Sequence, residues 1–394
     1  MKPLSLLPLS HAILVAEAIT HPGLLHAESD FTRIRTFIDS KTEPQLTGWT
    51  KLLSRADTEY TPSAVETVCR GSSGEYDEIG ENYGSLYRDI AAAYANAIVW
   101  KVTGDSAHGD AAAAILNDWS STLTIITGSS DRFLAAGLYG YQLANVAEIL
   151  RDYEGWGGEG LDGVVELLED VFLPTNVDFL LNHNGAVDDH YWANWDLCNL
   201  ASLHAIGVVA DNQTAIDQAI TYFREGRGMG ALKNMVWTVH EEEGSGKILG
   251  QGQEAGRDQG HSLLDFGLLG VLAQQAYNQG EDLFAWDDNL ILAGAEYVFK
   301  YNSGHDVPFT EYTNSHGTAT EISDDSRGTL RPIAELLYAH YDGVKGLNAS
   351  WTGAYRDLVV EDGDGAEGGG GDYGSTSGGY DQLGFGTVLF RLSE

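Results

Sequence analysis

Helix-length segments recur along most of this chain, and their recurrence restricts the possible folds more than any other feature. Apolar residues repeat at spacings of three and four in runs of about 12–20 residues, which loops rich in Gly, Asp and Asn separate. The two-residue alternation typical of strands is scarce. We therefore predict an all-α protein, with helices at about 86–102, 111–125, 133–152, 161–181, 197–209, 214–225, 261–279, 290–301 and 331–341.

The order of these helices favours one kind of all-α architecture. Consecutive helical hairpins without a heptad pattern form either a solenoid or a closed double ring of helices. No repeated unit is visible in the sequence, which favours the ring. We predict a single domain over residues 21–394, in which loops at one rim carry the function. A Gly-rich loop around 362–386 contains several aromatic residues, and we expect it to pack onto this body.

The charge of the chain excludes some partners. It has 58 acidic and 22 basic residues in 394, for a net charge of −36. Such a surface repels nucleic acid and anionic membranes at long range, so we expect neither as a partner. An anionic substrate stays possible, because salt screens the long-range field within about 8–10 Å and local arginines can then dominate. We expect the protein to act as a monomer.

The amino terminus suggests export from the cell. Residues 1–20 carry one Lys followed by a broken apolar run, as in a secretory leader. Two glycosylation sequons begin at Asn212 and Asn348. We therefore expect a secreted, extracellular glycoprotein. Cys69 and Cys198 could form one disulfide or remain two buried thiols, and the sequence does not decide between these alternatives.

One stretch places charged residues directly before an apolar segment of helix length. If residues 251–267 form a helix, an acid, a cation and an imidazole lie along a single stripe, at Glu254, Arg257 and His261, together with Asp258 and Asp265. Most such stripes are solvated ion pairs. Here the sequence that follows is apolar on every side, so the helix should be surrounded by protein. Charges that open a buried helix are expected to line a cleft.

Three other places present polar side chains near helix ends. Asn194 and Trp195 open an almost entirely apolar helix, where the alternative role for Asn194 is a simple helix cap. Tyr312 lies in a loop that follows a proline. Arg331 precedes a helix that carries Tyr338, and a guanidinium there is suited to anion recognition.

These residue types indicate a reaction class. We find no phosphate-binding glycine loop, no nucleophile elbow and no zinc motif, so no cofactor and no metal is expected. Asn, His, Tyr and Arg suit removal of a proton beside a carboxylate, since donors stabilise the enolate while a base and an acid move protons. A glycoside hydrolase would instead need two carboxylates, for which Glu254, Asp258 and Asp324 are candidates.

Several ordered segments also resemble a known family. From about residue 21 to the end, the chain is similar to the alginate-lyase-type uronate lyases, most closely polysaccharide lyase family 38. This resemblance implies an (α/α) toroid and β-elimination on a polyuronate such as alginate, polymannuronate or glucuronan. The segments that carry it are YRDIAAAYANAIVWKVTGD, YQLANVAEILRDY, YWANWDLCNLASLHAIGV, GQEAGRDQGHSLLDFGLLG, YNSGHDVPFTEYT and GGGDYGSTSGGYDQLGFGT.

The resemblance implies roles for individual residues. Asn194 would neutralise the substrate carboxylate, His261 would be the catalytic histidine, and Tyr312 would protonate O4, with Tyr338 as the alternative tyrosine. Whether the His or the Tyr removes the proton stays open.

Four residues are candidates for substrate binding. Arg257 or Arg331 would bind the carboxylate, and Trp195 would stack on a sugar ring, with Tyr338 beside them. Our first hypothesis is therefore a secreted polysaccharide lyase that acts on an anionic polysaccharide and leaves 4,5-unsaturated uronate ends. The alternatives are a glycoside hydrolase on the same ring and a non-catalytic carbohydrate-binding protein.

Overall fold

The fold consists of helices in two layers, joined by short strands. The computed structural model describes residues 18–71 and 77–392, so most of the predicted leader at 1–20 lies outside the described residues. The helices, in chain order, are α1 (Glu28–Ser40), α2 (Gln45–Leu53), α3 (Gly84–Thr103), α4 (Ser106–Thr122), α5 (Arg132–Leu150), α6 (Gly157–Leu167), α7 (Leu173–Asn182), α8 (Ala193–Val209), α9 (Gln213–Glu225), α10 (Leu232–Met235), α11 (Gln259–Asn278), α12 (Trp286–Asn302), α13 (Ala334–Tyr338), α14 (Ser350–Asp362) and α15 (Gly386–Leu389).

Four helices form the inner layer. In α3, α5, α8 and α11 apolar residues occur on every side, and nearly the whole of α5 and α8 is buried. These helices pack side by side, α3 on α5, α5 on α8 and α8 on α11. The next helix in the chain then covers each of three of them from outside: α4 covers α3, α9 covers α8 and α12 covers α11. The result is the predicted double layer of helical hairpins.

The close packing of α5 on α8 depends on glycine. A Cβ added at Gly137 of α5 would lie 2.4 Å from Sγ of Cys198 on α8, so a larger residue would push the two helices apart.

Cys198 and Cys69 are both buried and free, and the disulfide alternative is therefore excluded. Among the described residues, no helix combines the length and apolarity that crossing a membrane requires.

Three two-stranded sheets connect the helices. They consist of β1 (Thr67–Arg70) parallel to β2 (Ile125–Gly128), β3 (Val236–Glu241) antiparallel to β4 (Ile248–Gly252), and the hairpin of β5 (Tyr312–Asn314) and β6 (Gly317–Ala319). The sequence did not predict these strands, because β5 and β6 have only three residues and the four- to six-residue strands β1–β4 show no long run of alternating apolar and polar residues.

The structure corrects one important helix boundary. The predicted helix over 251–267 does not exist as one element, because β4 ends at Gly252 and α11 begins only at Gln259. Residues 253–258 form a turn between them. Glu254 and Arg257 therefore do not share a helical stripe with His261. The turn itself brings these side chains together, since Arg257 contacts Glu254 three residues before it and His261 four residues after it.

Helix lengths also differ from the prediction elsewhere. The predicted 161–181 helix is divided into α6 and α7 by a π-helical stretch, Leu168–Phe172. The predicted 331–341 helix is only α13 followed by another π-helical stretch, Ala339–Val344. Helices α2 and α14 were not predicted from the sequence.

The Gly-rich segment packs onto the helices. Tyr380 stacks on Tyr87 of α3 with ring centroids 4.4 Å apart, and Tyr141 of α5 donates a hydrogen bond to the Asp381 carbonyl at 2.5 Å. Backbone bonds close the segment on itself, such as Phe385 N to Gly368 O at 2.8 Å. Hydrogen bonds of this kind hold a segment that cannot form a helix.

Candidate active site

Asn194 lies in the first turn of α8 and points away from the helix backbone. It does not cap the helix, since the N-cap residue is Trp192. Its Nδ2 instead donates to Oε1 of Glu254 at 2.6 Å, and its backbone N–H donates to the same oxygen at 3.3 Å. Asn194 is only 2% exposed. The helix-cap alternative for this residue is therefore wrong.

The turn at residues 253–258 joins α8 to the β5–β6 hairpin. Gln253 accepts a hydrogen bond from the Ala193 N–H at 2.9 Å, and its Nε2 donates to the Tyr312 hydroxyl at 3.0 Å. A Cβ added at Gly256 would lie 2.4 Å from the Cβ of Ala319, so only glycine allows the hairpin to pack this closely. One short turn thus fixes the first turn of α8 relative to Tyr312.

Arg257 and Glu254 form the charged centre of this turn. Arg257 Nη1 donates to Glu254 Oε2 at 2.6 Å, and its guanidinium carbon lies 5.0 Å from the centroid of the Trp192 ring. Arg257 Nη2 is also 3.4 Å from Nε2 of His261. The arginine therefore contacts a buried carboxylate, an indole face and the imidazole.

His261 is oriented by Asp258, the N-cap residue of α11. Asp258 accepts the backbone N–H of His261 at 2.8 Å and bonds Nδ1 of its ring at 2.6 Å. Burial would raise the pKa of Asp258, but the hydrogen bonds from His261 and the charge of Arg257 outweigh burial and lower that pKa. With Nδ1 donating to a carboxylate, Nε2 keeps its lone pair. The His261 side chain is 42% exposed, so substrate can reach it.

Tyr312 stands on β5 and stays protonated. Burial and the nearby Asp189 and Glu254 carboxylates raise the pKa of its phenol, although the hydrogen bond from Gln253 opposes this shift. The Tyr312 ring lies 5.3 Å from Trp237, measured between centroids. A phenol in this environment is suited to donate a proton.

A pocket of about 240 Å³ lies between Trp192, the turn at residues 253–258 and the β5–β6 hairpin, and neither Asn194 nor His261 lines it. The β5–β6 hairpin forms one wall and is held across the pocket by His316, which donates from Nε2 to the His190 carbonyl at 2.5 Å and stacks on Trp192 at 5.3 Å. The lining residues are Trp192, Gln253, Gly256, Arg257, Tyr312, Asn314, His316, Gly317, Thr318 and Ala319. Such a pocket has room for a ring flanked by an indole and a guanidinium.

Trp192 takes the position that the sequence assigned to Trp195. Trp195 packs inward against Tyr191, at 4.8 Å, and against Phe179, at 5.9 Å, and it does not line the pocket. The two indoles stand three residues apart, and the sequence pattern could not show where α8 begins. Trp192 and Gln253 are among the lining residues that the sequence analysis did not identify.

Arg331 and Tyr338 do not line this pocket. Arg331 Nη1 donates to the Gly378 carbonyl at 3.0 Å and lies 3.3 Å from Asp381 Oδ2, so the Gly-rich segment already occupies its guanidinium. Tyr338 does not line the pocket, because its ring packs under the Arg356 guanidinium at 4.1 Å. Of the two candidate tyrosines, the structure brings only Tyr312 to the Asn194 network.

Within residues 18–71 and 77–392, no three His, Cys, Asp or Glu side chains converge in a way that could hold a metal ion.

The sequence profile of the alginate lyase family matches residues 70–307, which is more than half of the chain. The chain belongs to the alginate lyase family. It is therefore a polysaccharide lyase, and Asn194, Arg257 and His261 lie within the matched stretch. No curated protein sequence matches the chain.

Solved structures agree on the fold of this family member. An alginate lyase from Bacteroides ovatus superposes with a TM-score of 0.63 at 12% identity, over 95% of this chain and 100% of that one. A histidine-to-alanine variant of alginate lyase A1-III, complexed with a tetrasaccharide, gives 0.59 at 14% identity, over 96% and 98%. Alginate lyase A1-III from Sphingomonas species A1 gives 0.55 at 14%, over 82% and 90%. The predicted (α/α) toroid is confirmed.

The hydrolase alternative does not fit this family or this site. It required Glu254 to act as an acid or base toward the substrate. The side chain of Glu254 is 0% exposed, and both of its oxygens already accept hydrogen bonds from Asn194 and Arg257. Glu254 therefore supports the site by accepting hydrogen bonds from Asn194 and Arg257.

Proposed function

We propose that this enzyme cleaves 1,4-linked polyuronates of the alginate type, with polymannuronate as the first candidate substrate and glucuronan as the second. The reaction is β-elimination, which breaks the C4–O4 bond and leaves a 4,5-unsaturated uronate at the new non-reducing end. One observation carries the proposal: a continuous set of contacts joins Asn194, Glu254, Arg257 and His261, and the same turn bonds Tyr312.

The negative charge of the substrate carboxylate must first be partly neutralised by nearby donors. Abstraction of the C5 proton moves negative charge onto that carboxylate, so donors near it lower the barrier. Asn194 supplies an amide and Arg257 a cation from adjacent elements. Their common anchor, Glu254, holds both donors in place before the substrate arrives.

His261 is our candidate base. Its Nδ1 is bonded to Asp258 at 2.6 Å, which leaves Nε2 with the lone pair and stabilises the imidazolium that forms when it takes the C5 proton. The side chain is exposed enough to reach a bound sugar.

Tyr312 is our candidate acid. Its raised pKa keeps the proton on the phenol at neutral pH, ready for transfer to O4 as the C4–O4 bond breaks. The hydrogen bond from Gln253 then stabilises the phenolate that remains, and His261 can later return a proton to it through solvent.

The test is a panel of polymannuronate, polyguluronate and glucuronan, read at the ultraviolet band of the conjugated enoate. We expect absorbance to rise with at least one polymer, and H261A to lower the rate strongly while its circular dichroism stays unchanged. Formation of only saturated reducing ends would contradict the lyase proposal. The comparison among the three polymers also identifies the preferred uronate.

We also propose that the protein is exported through a leader within residues 1–20 and glycosylated at Asn348. Asn348 is exposed. The other sequon residue, Asn212, is half-buried as the N-cap of α9, so it is less accessible to glycosylation than Asn348. Secreted protein should shift in mass on enzymatic deglycosylation, and N348Q should abolish the shift.

A further inference from the structure

Two buried carboxyl groups stand together behind the candidate active site. Glu254 belongs to the turn before α11 and Asp265 to the second turn of α11 itself, and both side chains are 0% exposed. Two ionised carboxylates in such a place would repel each other strongly and lack the solvation that charge requires. The way in which the protein accommodates both groups therefore matters for the site.

Glu254 is supplied with donors, and Asp265 is not. The oxygens of Glu254 accept from the Asn194 amide, from the Asn194 backbone and from Arg257. Among the described residues, neither oxygen of Asp265 receives a hydrogen bond from any donor. An ionised Asp265 would leave two buried acceptors unsatisfied, which is costly.

Asp265 and Ala255, the residue next to Glu254, nevertheless line the same small cavity, which brings the two carboxyl groups near each other. Glu254 is among the causes that raise the pKa of Asp265. A bond between two carboxyl groups exists only if one of them carries a proton. Glu254 is the ionised member, since it accepts from the Arg257 cation and from the Asn194 amide. The proton accordingly belongs to Asp265, which then donates through its O–H.

We propose that Asp265 is an un-ionised acid whose hydrogen bond fixes Glu254, and that it thereby positions Asn194 and Arg257 for the substrate carboxylate. Asp265 is thus a positioning residue, and this second part of the inference rests on the proposed lyase function. A neutral donor suits the task because it holds Glu254 without adding a second negative charge beside an anionic substrate.

The surroundings of Asp265 agree with a neutral state. Burial raises the pKa of Asp265 well above its ordinary value, and the charges of Glu254 and Asp258 act in the same direction. Arg257 is the one cation that opposes them. From α12, the nearby titratable group is Tyr297, whose hydroxyl donates to the Pro308 carbonyl at 2.8 Å and so is not directed at Asp265.

The first test compares two substitutions. D265A removes the donor, so kcat on the preferred polyuronate should fall about 10- to 100-fold, as is typical when a group supporting catalytic residues is lost. In D265N the amide N–H replaces the O–H donor, and kcat should recover to within about threefold of the wild-type value. If D265N is as impaired as D265A, or if D265A matches the wild type, the proposal is overturned.

Asp89 provides a matched control. It is also a buried aspartate, but it accepts three hydrogen bonds, from Tyr60, Trp119 and the Ser63 N–H, at 2.7–2.8 Å. An ionised acid suits that environment, so D89N should lower the unfolding midpoint while D265N should not. Equal losses in both variants would show that Asp265 is an ordinary ionised acid, and would overturn the proposal.

A spectroscopic readout tests the proton without any substrate. The infrared difference between wild type and D265N at neutral pH should contain the carbonyl band of an un-ionised carboxyl group, and the difference between wild type and D89N should lack it. Absence of the band for Asp265 would overturn the proposal. Its presence in a protein that cleaves no polyuronate would mean that the lyase function has failed while the assignment of the proton stands.

Discussion

Glu254 and Asp265 beside the pocket can be compared with Glu335 and Glu367 beneath the C-terminal segment. Each pair is buried, each includes one acid whose pKa is raised by burial and by its neighbour, and each is balanced by one arginine. In the second pair that pKa is about 8, at Glu367. On electrostatics alone the two pairs would be equally good candidates for a functional site.

The two pairs of acids differ in their access to a pocket and in the groups that their arginine partners contact. Arg257 faces the pocket and lies over Trp192. Arg391 instead donates from Nε and Nη2 to Glu335, and Glu367 accepts the Gly386 N–H at 2.6 Å. The second pair therefore holds the end of the chain onto the body. A raised pKa thus marks burial, and a buried pair can support chemistry only where its arginine partner faces a pocket.

The largest effect should come from the reacting groups. We expect H261A and Y312F each to lower kcat by about 10²- to 10⁴-fold, because each removes one proton-transfer step. Steady-state kinetics at the enoate band measures this loss. Both side chains face solvent or the pocket, so the unfolding midpoint should change little. A variant that keeps more than a tenth of kcat would remove its residue from the mechanism.

A substitution at the Glu335–Glu367 pair should instead lower stability and leave kcat unchanged. R391A leaves Glu335 buried without its cation, which typically costs about 3–5 kcal/mol of unfolding free energy. Urea denaturation measures that cost, and kcat per folded molecule should remain at the wild-type value. A large loss of kcat in folded R391A would show that this region also supports catalysis, so that the two buried pairs would not differ in function.

The raised pKa of Glu367 predicts a pH dependence of stability. Its folded-state pKa of about 8 exceeds the unfolded value near 4.5, so the folded state binds the extra proton between these limits. Stability should consequently decline as pH rises through this window, by about 1.4 kcal/mol per pH unit for this one group. Denaturation at several pH values checks the slope, and E367Q should flatten it. An unchanged slope in E367Q would assign it to other groups.

The smallest effect concerns the two indoles. W192A should raise KM about 3- to 10-fold, because a stacking face and the contact with Arg257 are lost from the pocket. W195A should instead lower the unfolding midpoint, since Trp195 packs against Phe179 and Tyr191. A KM effect confined to W195A would restore the role that the sequence assigned to it.

The inner helices could be predicted because their pattern is local. Helices α3, α5 and α8 are apolar on all sides over about five turns, and that pattern indicates a helix without a solvent-exposed face. Helices α2 and α14 are short and mixed in polarity, so their helical state depends on the neighbours that they pack against. The short strands depend on partners far away in the chain in the same way.

The candidate site was predictable in its residue types and only partly in its geometry. Asp258 and His261 are three residues apart, so both belonged to the charged stripe that the sequence analysis singled out, although the bond between them was not predicted. Asn194 and Glu254 are 60 residues apart, and Gln253 and Tyr312 are 59 apart. No spacing rule reaches across such distances.

The helical body, the strongly negative surface and the kinds of side chain available for chemistry could be inferred from the chain alone, because hydrophobic periodicity and charge are properties of local composition. That a turn carries Glu254 and Arg257, and that Trp192 rather than Trp195 lines the pocket, followed from the three-dimensional structure. The reason is that a side chain's direction depends on where its element begins, and packing between distant elements fixes that point.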